Sequence, residues 1–88
     1  MRSRTTAGFR RLFADLPESV QVHAREAYTR FLTNPSHPGL RFKRVHPNLL
    51  IYSARISGGY RAAGTVDGGE IVWFWIGPHA EYEKMLAG

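Results

Sequence analysis

Apolar positions recur in two different periods along this chain, and the change of period divides it. Over residues 6–16, Phe9, Leu12, Phe13 and Leu16 return at spacings of three and four, which places them on one side of a helix. Thr5 or Thr6 is available to cap it, and Arg10 and Arg11 point outward. Pro17 interrupts that helix and starts a second, with Glu18 near its positive end. Val20, Ala24, Ala27, Tyr28 and Phe31 form the buried stripe of the second helix, which Asn34 and Pro35 stop. The pattern predicts a helical hairpin with one shared apolar side, preceded by residues 1–6, which are polar enough to fray.

After a turn over residues 34–39, the period becomes two. Residues 41–45 predict a first strand and His46-Pro47-Asn48 a turn. Residues 49–56 and 60–66 predict two further strands joined by Ser57-Gly58-Gly59. Asp67-Gly68-Gly69 then leads into Ile71, Val72, Trp73, Phe74, Trp75 and Ile76, the most apolar run of the chain. An unbroken apolar run bounded by Gly69 and Gly77 reads as a central strand covered on both faces. Which face takes Trp73 and which Trp75 stays open, because the turn at Asp67 admits more than one register. Pro78 ends the strand region, and residues 81–86 predict one or two helical turns packed through Tyr82, Met85 or Leu86. The fold class is α+β: an N-terminal helical hairpin packed on a twisted, mostly antiparallel sheet of about four strands, with a short C-terminal helical turn.

The 88 residues leave room for one domain, 1–88, with a single core. The chain has no cysteine, which excludes disulfides, thiolate nucleophiles and thiolate metal sites and suits a cytoplasmic protein. No basic-then-apolar leader opens it, and no apolar run approaches the roughly 20 residues of a membrane span. The formal net charge of +5 changes the picture more. It points to a polyanionic partner, whether RNA, DNA or an acidic protein segment, against the plainer reading that it keeps a small protein soluble.

Strand register gives the charge a location. A three-residue connection in the hairpin around Gly58 sets Ile56 opposite Tyr60 and Arg55 opposite Arg61. It gathers Leu50, Tyr52, Ala54, Ile56, Tyr60, Ala62 and Val66 on one face, and Ser53, Arg55, Arg61, Ala63 and Thr65 on the other. A two-residue connection shifts the register by one and puts Arg61 among the apolar residues opposite Ile56, so the three-residue form is favoured, with Gly59 free to take positive φ. Two arginines facing each other on one sheet surface repel, and an anion between them offsets the repulsion. The plainer alternative is that they splay apart or pair with Asp15, Asp67 or a glutamate.

Lys43 and Arg44 lie in the neighbouring strand, and His79 follows the apolar strand close to Tyr82. A histidine at a strand end is more often a turn residue than a catalyst. Beside a cationic patch, however, the neutral imidazole is favoured and can accept a proton, and a tyrosine hydroxyl can orient a phosphate. Such a set suffices for RNA cleavage without metal or cofactor. The 2′-hydroxyl attacks the adjacent phosphate, His79 or Lys43 moves the proton, and Arg55 and Arg61 stabilise the phosphorane-like transition state. Trp73 or Trp75 could stack a base, although packing beneath the helices is the more usual role. The acidic residues are scattered, with no spacing that builds a divalent site, and no glycine-rich phosphate loop or zinc-finger signature is present.

Four strings together resemble toxins of the RelE/ParE superfamily of type II toxin–antitoxin systems. They are NPSHPGLRFKRV at 34–45, YSARI at 52–56, GYRAAG at 59–64, and IVWFWIG at 71–77 followed by HAEY at 79–82. The resemblance implies the fold just described and, in the RNA-cleaving branch, a ribosome-dependent mRNA endoribonuclease acting in the A site and neutralised by a cognate antitoxin in a hetero-oligomer. It assigns Arg61 to the recurrent arginine of the Tyr-Arg strand and Arg55 to a basic position of the strand before it. His79 and Tyr82 fall in the C-terminal region of acid–base and orienting residues; Lys43, with Arg44, contributes phosphate binding. The sequence departs from the family's dense lysine cluster and shows no glutamate paired with the arginines. The ParE branch shares the fold but acts on DNA gyrase, so a gyrase-directed toxin, or an inactive binding homologue, is the alternative implied.

Overall fold

The computed structural model describes residues 1–87. Its elements run in the order β1 (Arg2–Thr5), α1 (Ala7–Ala14), α2 (Glu18–Thr33), a 3-10 turn (Pro38–Leu40), β2 (Lys43–Arg44), β3 (Ile51–Ser57), β4 (Tyr60–Asp67), β5 (Glu70–Pro78) and α3 (His79–Ala87). Helices α1 and α2 lie over one face of a sheet of order β1-β5-β4-β3-β2, antiparallel except where β1 runs parallel to β5. The α+β architecture read from the periodicity is therefore the observed one.

Local chemistry starts and stops the helices as the sequence leads one to expect. The Thr6 hydroxyl accepts the Phe9 amide at 3.0 Å and caps α1. Gln21 of α2 donates from Nε2 to the carbonyls of Phe13 at 3.0 Å and Leu16 at 3.2 Å, satisfying acceptors that the end of α1 leaves open. From α2, Val20, Ala24, Ala27 and Phe31 are buried at helical spacing, and Phe31 meets Trp73 edge-on at 5.3 Å. Because α1 rests on β5 and α2 on β3, the hairpin is splayed over the sheet. An apolar groove of about 520 Å³ separates the helices, walled by Phe9, Phe13 and Tyr28 and floored by Ala54, Ala62 and Trp73.

Several expectations are corrected. Residues 2–5 do not fray: β1 pairs with β5 from Arg2↔Glu70 to Thr5↔Trp73. The Ser3 hydroxyl oxygen accepts the Tyr28 hydroxyl at 3.0 Å and the Trp73 indole N–H at 3.1 Å. Tyr28, expected in the buried stripe, is 37% exposed and spends its hydroxyl on this tie. The middle strand is β4, with the apolar β5 one place nearer the edge. β5 is nonetheless covered on both faces, by α1 on one side and α3 on the other. β2 is shorter than the predicted strand because Arg41 takes a left-handed conformation, φ 45°, at the end of the 3-10 turn. α3 begins two residues earlier than predicted, directly at His79.

The close approach of β5 to β4 requires a glycine at 64. A Cβ there would stand 2.9 Å from the Val72 carbonyl oxygen and 3.0 Å from the Trp73 ring. Backbone cannot yield cheaply at that distance, so Gly64→Ala is expected to lower stability by about 1–3 kcal/mol. Urea unfolding checks this as a fall in the transition midpoint at unchanged slope.

Candidate functional site

The β3–β4 hairpin builds the site, and its register follows from which residues can be buried. Ala54 and Ala62 pair on the core face, Tyr52 pairs with Gly64, and Arg55 pairs directly with Arg61 on the opposite face. The arginine pair thus stands as expected, but the hairpin reaches it differently. Ser57 pairs with Tyr60 across a two-residue Gly58-Gly59 loop, and a bulge at Ile56 restores the alternation that the shorter loop shifts. The positive-φ glycines among the described residues are Gly68 and Gly69 in the β4–β5 turn, so Gly59 does not use that freedom.

Two parallel rows cross this face. Lys43, Ser53, Ala63 and Trp75 are successive cross-strand neighbours, and Arg55, Arg61 and Gly77 form the next row. Arg61 folds toward the hairpin tip: its Nη1 donates to the carbonyls of Ser57 at 2.8 Å and Tyr60 at 2.9 Å. The guanidinium is thereby held by one nitrogen, with Nε and Nη2 left to grip an anion. Arg55 reaches the same tip, its Nη2 lying 3.8 Å from where a Cβ on Gly58 would sit. The ion pairs among the described residues are Arg4–Glu70 and His79–Glu83, so neither arginine is matched with a carboxylate. Two unneutralised guanidiniums side by side favour an anion between them.

His79 is brought to this place by the backbone. It opens α3 two residues after Gly77, and its amide donates to the Gly59 carbonyl at 2.9 Å, tying the helix to the hairpin tip. Its ring lies 5.6 Å from that of Tyr82, which is 8% exposed and sits 6.1 Å from Trp75. The backbone therefore sets His79 and Tyr82 on a helix that starts beside the hairpin carrying Arg55 and Arg61. Lys43 stands on the same face, one strand out from Ser53. Arg44 stands apart: it pairs with Tyr52 on the core-facing side, and its Nε donates to the His46 carbonyl at 3.2 Å.

A second bulge settles the tryptophans. Ala63 pairs with Trp75 and Gly64 with Trp73, leaving Phe74 as an extra residue, so the two indoles point to opposite faces despite their spacing of two. Trp73 is buried in the core, whereas Trp75 lies half-buried beside the arginine row. The Trp75 ring occupies the space over Gly77, where a Cβ would be 2.9 Å from Cζ2. Sequence reasoning missed Gly77 and Glu83 as parts of this neighbourhood. The i, i+4 spacing of His79 and Glu83 was the available signal for the second; nothing in the local sequence announced the first.

A mostly antiparallel sheet under a splayed helical pair, closed by a short C-terminal helix, is a fold that comparison with known proteins places in a class. The chain belongs to the family described as the ParE-like toxin domain, whose model matches residues 18–84. Its fold is that of the RelE/ParE toxins. The chain is similar to a structure of the RelB–RelE antitoxin–toxin complex from Methanococcus jannaschii, with TM-score 0.74 and 15% identity over 92% of this chain and 95% of that one. It is similar to YafQ from Escherichia coli, with TM-score 0.74 and 9% identity over 93% and 98% of the two chains. A toxin–antitoxin complex, RelBE2 from Mycobacterium tuberculosis, gives TM-score 0.62 and 22% identity over 89% and 96%. No curated protein matches the chain significantly in sequence. Among the described residues, no helix is long and apolar enough to cross a membrane.

Proposed function

We propose that this toxin domain is a metal-independent endoribonuclease that cuts mRNA on the ribosome, in the A site, and is neutralised by a cognate antitoxin. The observation that carries the reading is the Arg55–Arg61 pair, free of carboxylates and joined through the hairpin tip to His79. The scissile phosphate lies between the two guanidiniums, with Lys43 extending the phosphate track on the same face, while Arg44, on the other face, takes no part. The 2′-oxygen attacks phosphorus while His79 takes its proton, the bond to the 5′-oxygen breaks, and that oxygen leaves with a proton returned by His79. The products are a 2′,3′-cyclic phosphate and a 5′-hydroxyl. Arg55 and Arg61 stabilise the charge on the equatorial oxygens, Tyr82 orients the phosphate, and Trp75 offers a face for a neighbouring base.

The antitoxin implied by this reading presents an acidic, amphipathic segment. It would cover the arginine row or enter the apolar groove, whose rim carries Arg10 and Arg25. The description of the matched family favours a second reading, a gyrase-directed toxin in which Arg55 and Arg61 form a protein interface.

Incubation with a translating extract separates the two. The parent is expected to cleave ribosome-bound mRNA, and His79→Ala to lose about 10²-fold or more in rate, the usual contribution of a general acid–base group. Intact mRNA together with accumulating gyrase-linked DNA breaks would establish the second reading instead.

A further inference from the structure

The first turn of α3 carries a contact that the cleavage chemistry leaves unused. His79 Nε2 and Glu83 Oε1 are 2.9 Å apart, one helical turn from each other on the same face. His79 is restrained at two further points, through its amide to the Gly59 carbonyl and through its ring beside the buried ring of Tyr82. An ionised carboxylate accepts hydrogen bonds and donates none. In the neutral imidazole, the nitrogen facing Glu83 therefore carries the proton, and Nδ1 keeps the free lone pair.

We propose that Glu83 is a positioning residue for His79: it accepts Nε2–H, fixes the tautomer and ring orientation, and presents Nδ1 as the nitrogen that exchanges a proton with the RNA. The proposal rests on the reading of His79 as the acid–base group. Nδ1 takes the 2′-hydroxyl proton as the new bond to phosphorus forms, and the resulting imidazolium is held against a carboxylate already in contact. Nδ1 then returns that proton to the departing 5′-oxygen, and Glu83 stays ionised throughout. The His79 and Glu83 side chains are 47% and 70% exposed, so the pair contributes little to stability in solvent. Its removal is accordingly expected to change the chemistry and leave the fold in place.

Two readouts test this independently. The ¹⁵N shifts of the neutral His79 ring in the parent are expected to show a protonated Nε2 and a bare Nδ1; an Nδ1–H tautomer overturns the proposal whatever the cleavage result. In the translating extract, Glu83→Ala is expected to lower kcat about tenfold with KM within about twofold. Glu83→Gln, whose amide oxygen accepts the same bond, is expected to recover most of that loss. A parental rate in Glu83→Ala, a loss carried by KM, or no recovery in Glu83→Gln overturns positioning as the role. If the parent itself leaves mRNA intact while its ring shows the Nε2–H tautomer, the cleavage reading and the catalytic role of the pair both fall, and only the contact stands.

Discussion

Arg61→Ala is expected to slow mRNA cleavage by about 10²–10³-fold, the effect of removing one preorganised donor from a site of developing negative charge. The size of the effect follows from what Arg61 touches. Its Nη1 bonds the Ser57 and Tyr60 carbonyls, and the Gly59 carbonyl of the same loop receives the His79 amide. Truncation therefore removes a phosphate ligand and loosens the loop that seats His79. The lost hydrogen bonds are expected to lower stability by about 1 kcal/mol, small enough for the variant to remain folded and assayable. Arg61→Lys restores the charge but lacks a planar fork that can hold the loop and grip a phosphate together, so most of the loss is expected to persist. Single-turnover cleavage in a translating extract, with a thermal melt of the same samples, checks both parts. A parental rate in Arg61→Ala would remove the arginine row from the mechanism.

The tryptophans supply the second large effect, and its asymmetry matters most. Trp73→Ala empties the centre of the core, where the ring meets Phe31 at 5.3 Å and Phe42 at 6.2 Å and donates to Ser3. A loss of about 3–5 kcal/mol is expected for such a truncation. Domains of this size hold only about 5–15 kcal/mol at most, so the cooperative melt should weaken severely or vanish. Trp75→Ala, on the other face, is expected to keep a cooperative melt with a smaller loss, from its packing beside Tyr82 and over Gly77, and to bind a short single-stranded RNA more weakly by about 1–3 kcal/mol, the worth of one stacked base. Circular dichroism melts and fluorescence titrations distinguish the pair. Equal destabilisation by both substitutions would contradict the placement of Trp75 beside the arginines.

Much of this molecule is legible in its residue order. The period-3.6 stripe of α2 and the alternation through β3 and β4 are each imposed by one covered face, and a covered face writes itself directly into residue order. That is why the Arg55–Arg61 pairing could be read correctly even though the connection was built otherwise. A turn that pairs Ala54 with Ala62 against the helices sets the arginines opposite each other on the other face, and the bulge at Ile56 is the means by which a two-residue loop does so. The strand β1 was illegible for the converse reason. Arg2, Ser3, Arg4 and Thr5 bury no apolar row, and their pairing answers the open edge of β5, nearly seventy positions away.

What the sequence by itself determined is the α+β class, the faces of the elements that cover a core, the strings that tie the chain to its family and the excess of positive charge. Only the tertiary structure decided that Trp73 and Trp75 part company, that β4 lies in the middle and that His79 is seated on the hairpin tip. The physical reason is one of range. Burial against a covered face repeats along the chain and leaves a period to read, whereas a bulge, an edge pairing or a carbonyl meeting a distant amide is a single event that leaves none.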